Sequence, residues 1–438
     1  METGLNIVIP MAGLGSRFTD YGFTKNKYLL PIDANLTLLI EAAILSLKAP
    51  PSNTCFIFIV REEAEQDNSL RQLLGHICEK ASYNYKIIST NKLTEGPTST
   101  VYLARQYIDN DIPLIVSNSD QILDWNFHDF IEHSSAYDGT VLTYKPDYPL
   151  IVGSKDKNSF VRCDGGGQPV QFTEKIVVSD EALVGVHYYR KGSYFVEAAN
   201  YTFENNMRAP NGEFYLSLTY QAMLHLGRSL GTFNMNIKGG TYYAVGEPAD
   251  YFNYYNRQGK AHLEIVPIDE IPQNKEFNFF KCSGTQIELR DELVIILSGT
   301  NAGRAFFSGA FYEMNFPAGT YLLRHPVPPG QQYRDVPIEE YMRGWLIGNF
   351  EPAIVKTRDY EIGILTHAAG EQWGFHYHQH CKEINILLSG HFLLNNIPIS
   401  TGTVFIINKN VIACPKFLET CKILCIKIPS VPGDKTII

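Results

Sequence analysis

The stretch "LNIVIPMAGLGSRF" (residues 5–18) sets an apolar run of strand length against a loop holding Gly13, Gly15 and Arg17. In an open α/β sheet, ligands bind beyond the carboxyl ends of the strands, and the loop after the first strand is the usual phosphate cradle. Gly13 and Gly15 let the backbone bring its N–H groups close to phosphate oxygens. Arg17 adds a planar fork that grips a phosphate at two points, and Lys27, just ahead of "YLLPI" (28–32), adds a mobile point charge. A lone GxG occurs as readily in a solvated surface turn, so the rest of the chain has to decide.

Working outward, "LNIVI" (5–9), "CFIFIV" (55–60), "YKIIS" (85–89) and "PLIVSNS" (113–119) read as buried strands. They alternate with helical stretches near 36–48, 63–81 and 98–108, the order that predicts a mostly parallel sheet with helices on both faces. From about residue 265 the pattern is strand after strand, as in "FNFFKCSG", "LVIILSG", "RAFFSGAFYEMNF" and "GTYLLRH", and later "INILLSG", "GTVFIIN" and "KILCIKIP". Between these groups "PVPPGQQYRDVPIEEY" (326–341) reads as a connection between two β units.

With 438 residues, 45% hydrophobic, the chain is globular and long enough for roughly two to four domains. A net charge of −9 without a basic run argues against nucleic acid as a backbone-bound partner. "LTLLIEAAILSL" (36–47) carries Glu41 and is too short to span a bilayer, and no basic segment precedes an apolar one at residues 1–10, so the expectation is a cytoplasmic protein without a membrane partner. Eight scattered cysteines, with no paired CxxC, read as free thiols.

"MAGLGSRF…KNKYLLPI" (11–32) resembles the signature of the nucleoside-triphosphate transferases that make sugar nucleotides and related activated phosphates, with Asn26 where that family usually has proline. Matches follow in the family's order from residue 5 to about 256: "LTEGPTSTVYLAR" (93–105), "PLIVSNSDQILDW" (113–125), "FTEKIVVSDEALVGVHYYRKGSYF" (172–195), "NGEFYLSLTYQAML" (211–224) and "YYAVGEPADYFNYY" (242–255). The resemblance implies a Rossmann-like (GT-A-like) α/β domain with Arg17, Lys27 and Asp120 as catalytic residues and Asp120 as the Mg²⁺ ligand. It further implies nucleotide contacts at Ala12, Gly13, Gly15, Gly96 and Thr98, and acceptor contacts at Glu174, Lys175, Gly185 and Glu213. Many members carry a second metal-binding aspartate where this chain has Ala244 or Val245; Glu247 and Asp250 are the nearby acids.

The β half has its own constellation. Five of the twelve histidines fall between His367 and His391, and "GEQWGFHYHQHCKEINILLSG" (370–390) resembles the first cupin motif in its spacing. Residues i and i+2 of a strand share a face, so His376 and His378 can converge on one ion with Glu383 from a neighbouring strand. "GTVFIINKNVIACP" (402–415) places Ala413 where cupins usually supply another histidine. The expectation is therefore a divalent transition metal held weakly, or a cupin without metal that aids assembly as a homodimer or binds a sugar-like ligand. "DELVIILSG" (291–299) also aligns with "KEINILLSG" (382–390), and "AGTYLLRHPV" (318–327) with "TGTVFIINKN" (401–410), with Thr285 and Ile287 in place of the histidines. This predicts a two-lobed, all-β cupin (double-stranded β-helix) region whose first lobe has no metal site.

The expected organisation is a nucleotidyltransferase domain at 1–258, a β-rich degenerate cupin lobe at 259–350 and a cupin domain at 351–438. The expected activity is Mg²⁺-dependent transfer of a nucleoside monophosphate from a nucleoside triphosphate to a phosphorylated small molecule, foremost a sugar phosphate for surface polysaccharide or capsule biosynthesis. Three alternatives stay open: a cytidylyltransferase acting on a non-sugar phosphate, a bifunctional isomerase–pyrophosphorylase, and a non-catalytic regulatory module.

Overall fold

A computed structural model describes residues 4–13, 15–62, 69–258, 263–271, 277–284, 286–330 and 332–438. The chain divides into two compact units: unit 1 comprises residues 1–21, 26–32 and 37–255, and unit 2 residues 22–25, 33–36 and 256–438.

Unit 1 is built on a nine-stranded sheet. Its strands are β1 (Leu5–Met11), β2 (Thr54–Arg61), β3 (Asn84–Thr90), β4 (Leu114–Ser117), β6 (Gly139–Tyr144), β7 (Lys155–Cys163), β8 (Pro169–Ile176), β9 (Ala182–Tyr189) and β10 (Leu230–Asn234). A separate ribbon joins β5 (Gln121–Asp124) to β11 (Thr241–Ala244). The order β10-β6-β9-β4-β1-β2-β3 places β1 at the centre, parallel to β2 on one side and β4 on the other. Residues alternate across a strand. Ile7 and Ile9 accordingly pack with Phe56 and Phe58 on one face, while Val8 and Ala12 pack with Ile57 and Ile59 on the other. That two-sided burial is why "LNIVI" is apolar throughout rather than alternating. Because the chain leaves β1 towards β2 and returns on the far side as β4, the order reverses between β1 and β4. A crevice opens there, at their carboxyl ends.

The helices expected from periodicity are Leu39–Ser46, Ser69–Lys80 and the short pair Pro97–Tyr102 and Arg105–Ile108; residues 63–68 of the second expectation lie outside the described residues. The sheet is less parallel than the first 120 residues suggest: β9 runs antiparallel to both β4 and β6, and the β7–β8 hairpin hangs from it.

Unit 2 is almost entirely β. A six-stranded antiparallel sheet runs in the order 263–266, 404–407, 382–389, 421–428, 361–367, 345–347, and a five-stranded one in the order 278–281, 321–326, 292–296, 305–307, 334–335. Leu293, Ile295 and Leu323 of the second sheet share one core with Ile364, Ile386 and Leu424 of the first. Each sheet also has a cluster of its own, around Phe306 and Leu289 in one case and Phe392, Phe405 and Phe417 in the other.

The two repeated segments occupy matching places, for 292–296 pairs with 321–326 as 382–389 pairs with 404–407. Their registers differ: Glu383 lies opposite Ile407, whereas Glu292 lies opposite Pro326 rather than Arg324, where the alignment puts it. A two-residue slip keeps every side chain on its face. Thr285 lies outside the described residues, and Ile287 sits buried in the second sheet's own cluster. The proline-rich stretch 326–341 is more than a connection, since Arg334–Asp335 adds an edge strand beside Phe306 and Phe307.

Candidate functional sites

In unit 1 the loop after β1 and the turn after β4 meet at the crevice. Lys27 opens a single 3₁₀ turn, Lys27–Leu29, and Asn26 caps it: its φ is −56°, close to what proline would impose, and its side-chain oxygen accepts the Tyr28 N–H at 3.2 Å. The turn aims the Lys27 ammonium at Asp120, with Nζ 2.7 Å from Oδ2. Burial disfavours both charges, but each outweighs that for the other, so the Asp120 carboxyl lies below its ordinary range and the Lys27 ammonium titrates above its own.

The β5–β11 ribbon supplies the opposite wall. Val245 donates its N–H to the Asp120 carbonyl at 3.0 Å, and a Cβ on Gly246 would come within 2.8 Å of Asp120 Oδ2, so only glycine passes there. The next residue, Glu247, pairs with Arg17 at 3.2 Å, and Asp250 pairs with Lys157 at 3.3 Å. Ala244, one of the two positions where the sequence resemblance looks for a second aspartate, lines the same cleft with no ligand to offer, while Val245, the other, is buried.

Two further features shape this cleft of ≈ 280 Å³. Glu174 is 4% exposed and accepts hydroxyl hydrogens from Ser217 (2.8 Å) and Ser159; burial pushes its carboxyl above the ordinary value. It therefore anchors the backbone beside Lys175, which adopts a left-handed φ of +61° and lays its ammonium 5.1 Å from the centre of the Tyr215 ring. Gly185 is required by close approach, because a Cβ there would meet the Asn118 side chain at 2.1 Å.

Of the residues singled out in the sequence, Arg17, Asp120, Glu174, Lys175 and Gly185 line this cleft, and Gly15, Arg17, Lys27 and Asp120 line a smaller hollow of ≈ 160 Å³ beside it. Ala12 is buried under the loop, and Gly13 is exposed with open space where a Cβ would be. Gly96 caps the helix Pro97–Tyr102 against the Phe214 backbone, Thr98 is fully buried within that helix, and Glu213 binds Asn211 at 2.7 Å; these three do not line either hollow.

Sequence reasoning missed Gln121, whose buried amide donates to the Gly185 carbonyl at 2.8 Å and accepts its N–H at 3.1 Å, clamping β9 to the Asp120 turn. It also missed His187, which lines the cleft with its Nδ1 unpartnered among the described residues and whose ring burial holds near pKa 3.

In unit 2 the expected metal ligands do not converge. His378 Nε2 lies 3.1 Å from Glu383 Oε1, but Lys427 Nζ lies 3.2 Å from the same oxygen, so an ammonium stands on the carboxylate that a metal would need. Burial alone would raise the Glu383 carboxyl; the His378 hydrogen bond and the Lys427 charge instead hold it far below its usual range. His376 turns its Nδ1 to the Gly374 carbonyl at 2.8 Å, and burial lowers it to about 4. Among the described residues the three ligand-type side chains whose ligand atoms all come within 4.8 Å of one another are His378, Cys381 and Asp434. There the Asp434 carboxylate is already filled by the N–H groups of Gln379, His380 and Cys381 at 2.9–3.0 Å, which makes it a loop clamp.

No family model and no curated protein sequence matches the chain. Among solved structures it is similar to a nucleoside-diphosphate-sugar pyrophosphorylase from Vibrio cholerae RC9, with 24% identity over 57% of this chain and 99% of that one and a TM-score of 0.47. It is also similar to a UDP-glucose pyrophosphorylase complexed with UDP-glucose (16% identity, 58% and 98% covered, TM-score 0.45) and to the inositol-1-phosphate CTP transferase of T. maritima (13%, 59% and 98%, 0.44). Among the described residues no helix is long and apolar enough to cross a membrane.

Proposed function

We propose that unit 1 transfers a nucleoside monophosphate from a nucleoside triphosphate to a phosphorylated small molecule, a sugar phosphate for surface polysaccharide. The observation that carries this reading is the gathering of Arg17, Lys27, Asp120 and Glu247 where the strand order reverses, beside a cleft holding Lys175. An acceptor phosphate oxygen attacks the α-phosphorus, the bond from that phosphorus to the oxygen bridging to the β-phosphate breaks, and the electron pair leaves with pyrophosphate. No covalent nucleophile is needed, so the protein's part is charge and position.

The N–H groups around Gly13 and Gly15 cradle the triphosphate, Arg17 and Lys27 neutralise charge growing on the leaving pyrophosphate, and Lys175 fixes the acceptor's phosphate. Oxygen donors from Asp120, Asn118 and Glu247 border the crevice and suit Mg²⁺, which takes few carboxylates along with phosphate oxygens and water. When bound, that ion screens the phosphates and polarises the α-phosphoryl group. Glu247 follows the glycine that abuts Asp120, which favours it over Asp250 as the second acid. The test is pyrophosphate release measured over four nucleoside triphosphates and a panel of sugar and non-sugar phosphates. Release with no pair in that panel sinks the proposal, and release with a non-sugar phosphate alone moves the acceptor class.

A further inference from the structure

Inside unit 2 a cavity of ≈ 260 Å³ is walled by Phe392, Phe405 and Phe417, with Glu383, Asn385 and His376 among its polar lining. Its charges do not balance locally. Glu383 is taken by Lys427 and His378, and Glu371 by His367, the Trp373 indole N–H and the Ala368 N–H. Two further cations line the same cavity, Arg343 and Lys435, and among the described residues neither has a carboxylate within ion-pair reach. Both lie over the Trp373 ring, Lys435 at 3.4 Å from its centre and Arg343 at 5.5 Å.

Both are also held in place. Arg343 sits in the left-handed region at φ +57°, a conformation that costs energy for a residue with a side chain. Lys435 lies between Asp434, bound by three backbone N–H groups, and Thr436–Ile437, which pairs with His376–Tyr377. Burial and the neighbouring Lys427 lower Lys435 to about 8, the strain expected of a cation lacking its counter-ion.

We propose that this cavity is a metal-independent binding site for a hydroxylated small organic anion, whose phosphate or carboxylate lies between Arg343 and Lys435. Its carbon skeleton packs on Trp373 and Phe417, and its hydroxyls reach His376, Asn385 and Glu383 Oε2, to which the Asn385 amide donates at 3.4 Å. This site stands apart from the transfer chemistry and does not depend on it.

The experiment uses the full chain in EDTA, titrated by calorimetry with glucose 6-phosphate, gluconate and neutral glucose, and repeated with Lys435→Met and Arg343→Met, whose thermal melts report folding. At least one of the two anions binds, glucose binds about tenfold more weakly or not at all, and either substitution weakens the anion by about tenfold. The tighter anion assigns the head group. Pyrophosphate release by the two variants stays at the wild-type level. The proposal is overturned if neither anion binds, if glucose binds as well as they do, if EDTA abolishes binding, or if binding survives in both folded variants.

Discussion

Asp120 and Glu383 are each joined by a lysine, at 2.7 and 3.2 Å, and in each case the pair holds the acid ionised against burial. Yet the two sites offer different chemistry. The Asp120 side chain remains 28% exposed beside a glycine and an open cleft, so part of the carboxylate can still take a ligand. Glu383, at 12%, spends one oxygen on both Lys427 and His378 and accepts the Asn385 amide at 3.4 Å on the other, so it is a finished structural contact. A lysine–carboxylate pair thus stands at an open cleft in unit 1 and inside a closed contact in unit 2. What decides is what surrounds the pair.

The largest effect that would break this comparison is at Asp120. Asp120→Asn should lower pyrophosphate release by about three orders of magnitude, since it removes both the hard ligand and the partner of Lys27. It should also destabilise the fold by about 1–3 kcal/mol by leaving the ammonium half-buried and unpaired. Adding Lys27→Met should restore the melting temperature without restoring turnover. Recovery of turnover in the double variant would show that the pair is structural here too.

The matching change in unit 2 separates stability from activity. Glu383→Gln should cost about 3 kcal/mol, read by denaturant unfolding, while pyrophosphate release stays at the wild-type level. Because the folded Glu383 titrates below its unfolded value of about 4.3, its contribution is complete above that pH and fades as pH falls below about 5. The wild type should therefore lose more stability than the Gln variant between about pH 5 and 3. Protein purified without chelator should hold no stoichiometric transition metal. A full equivalent of metal, lost in His376→Ala and His378→Ala, would mean that Lys427 gives way to an ion.

The two cations at the unit 1 cleft should divide the kinetics between them. Arg17→Ala should lower kcat by about tenfold to a hundredfold with little change in the KM for the triphosphate, whereas Lys175→Ala should raise the acceptor's KM. The opposite split would exchange their roles.

These contrasts explain what could be read in advance. "LNIVI" and "CFIFIV" are legible because a strand buried on both faces needs unbroken apolar residues, and the meeting of Gly15, Arg17 and Lys27 at one hollow because the loop that carries them follows directly on such a strand. Gln121, Ser159, Ser217 and His187 are illegible, since each is a buried or half-buried polar residue whose partner or cleft comes from distant segments. Lys427 lay between these extremes. Ile423, Cys425 and Lys427 alternate on one strand and all face the cavity, so a lysine in step with an inward apolar row was a sign that something anionic waits inside.

The smallest effect sharpens the unit 1 side of the comparison. Asn26 stands where the transferases that the first loop resembles usually have proline, keeps a proline-like φ of −56° and adds a side-chain cap on Tyr28 at 3.2 Å. Asn26→Pro would lose that cap, at a cost of about 0.5–1 kcal/mol, and would gain about 0.4–1 kcal/mol by restricting the unfolded chain. The two terms nearly cancel, so the melting temperature should move by no more than a degree or two, and kcat should stay within about twofold because Lys27 keeps its aim at Asp120. A large loss of turnover with an unchanged melting temperature would mean that the asparagine side chain itself meets the substrate.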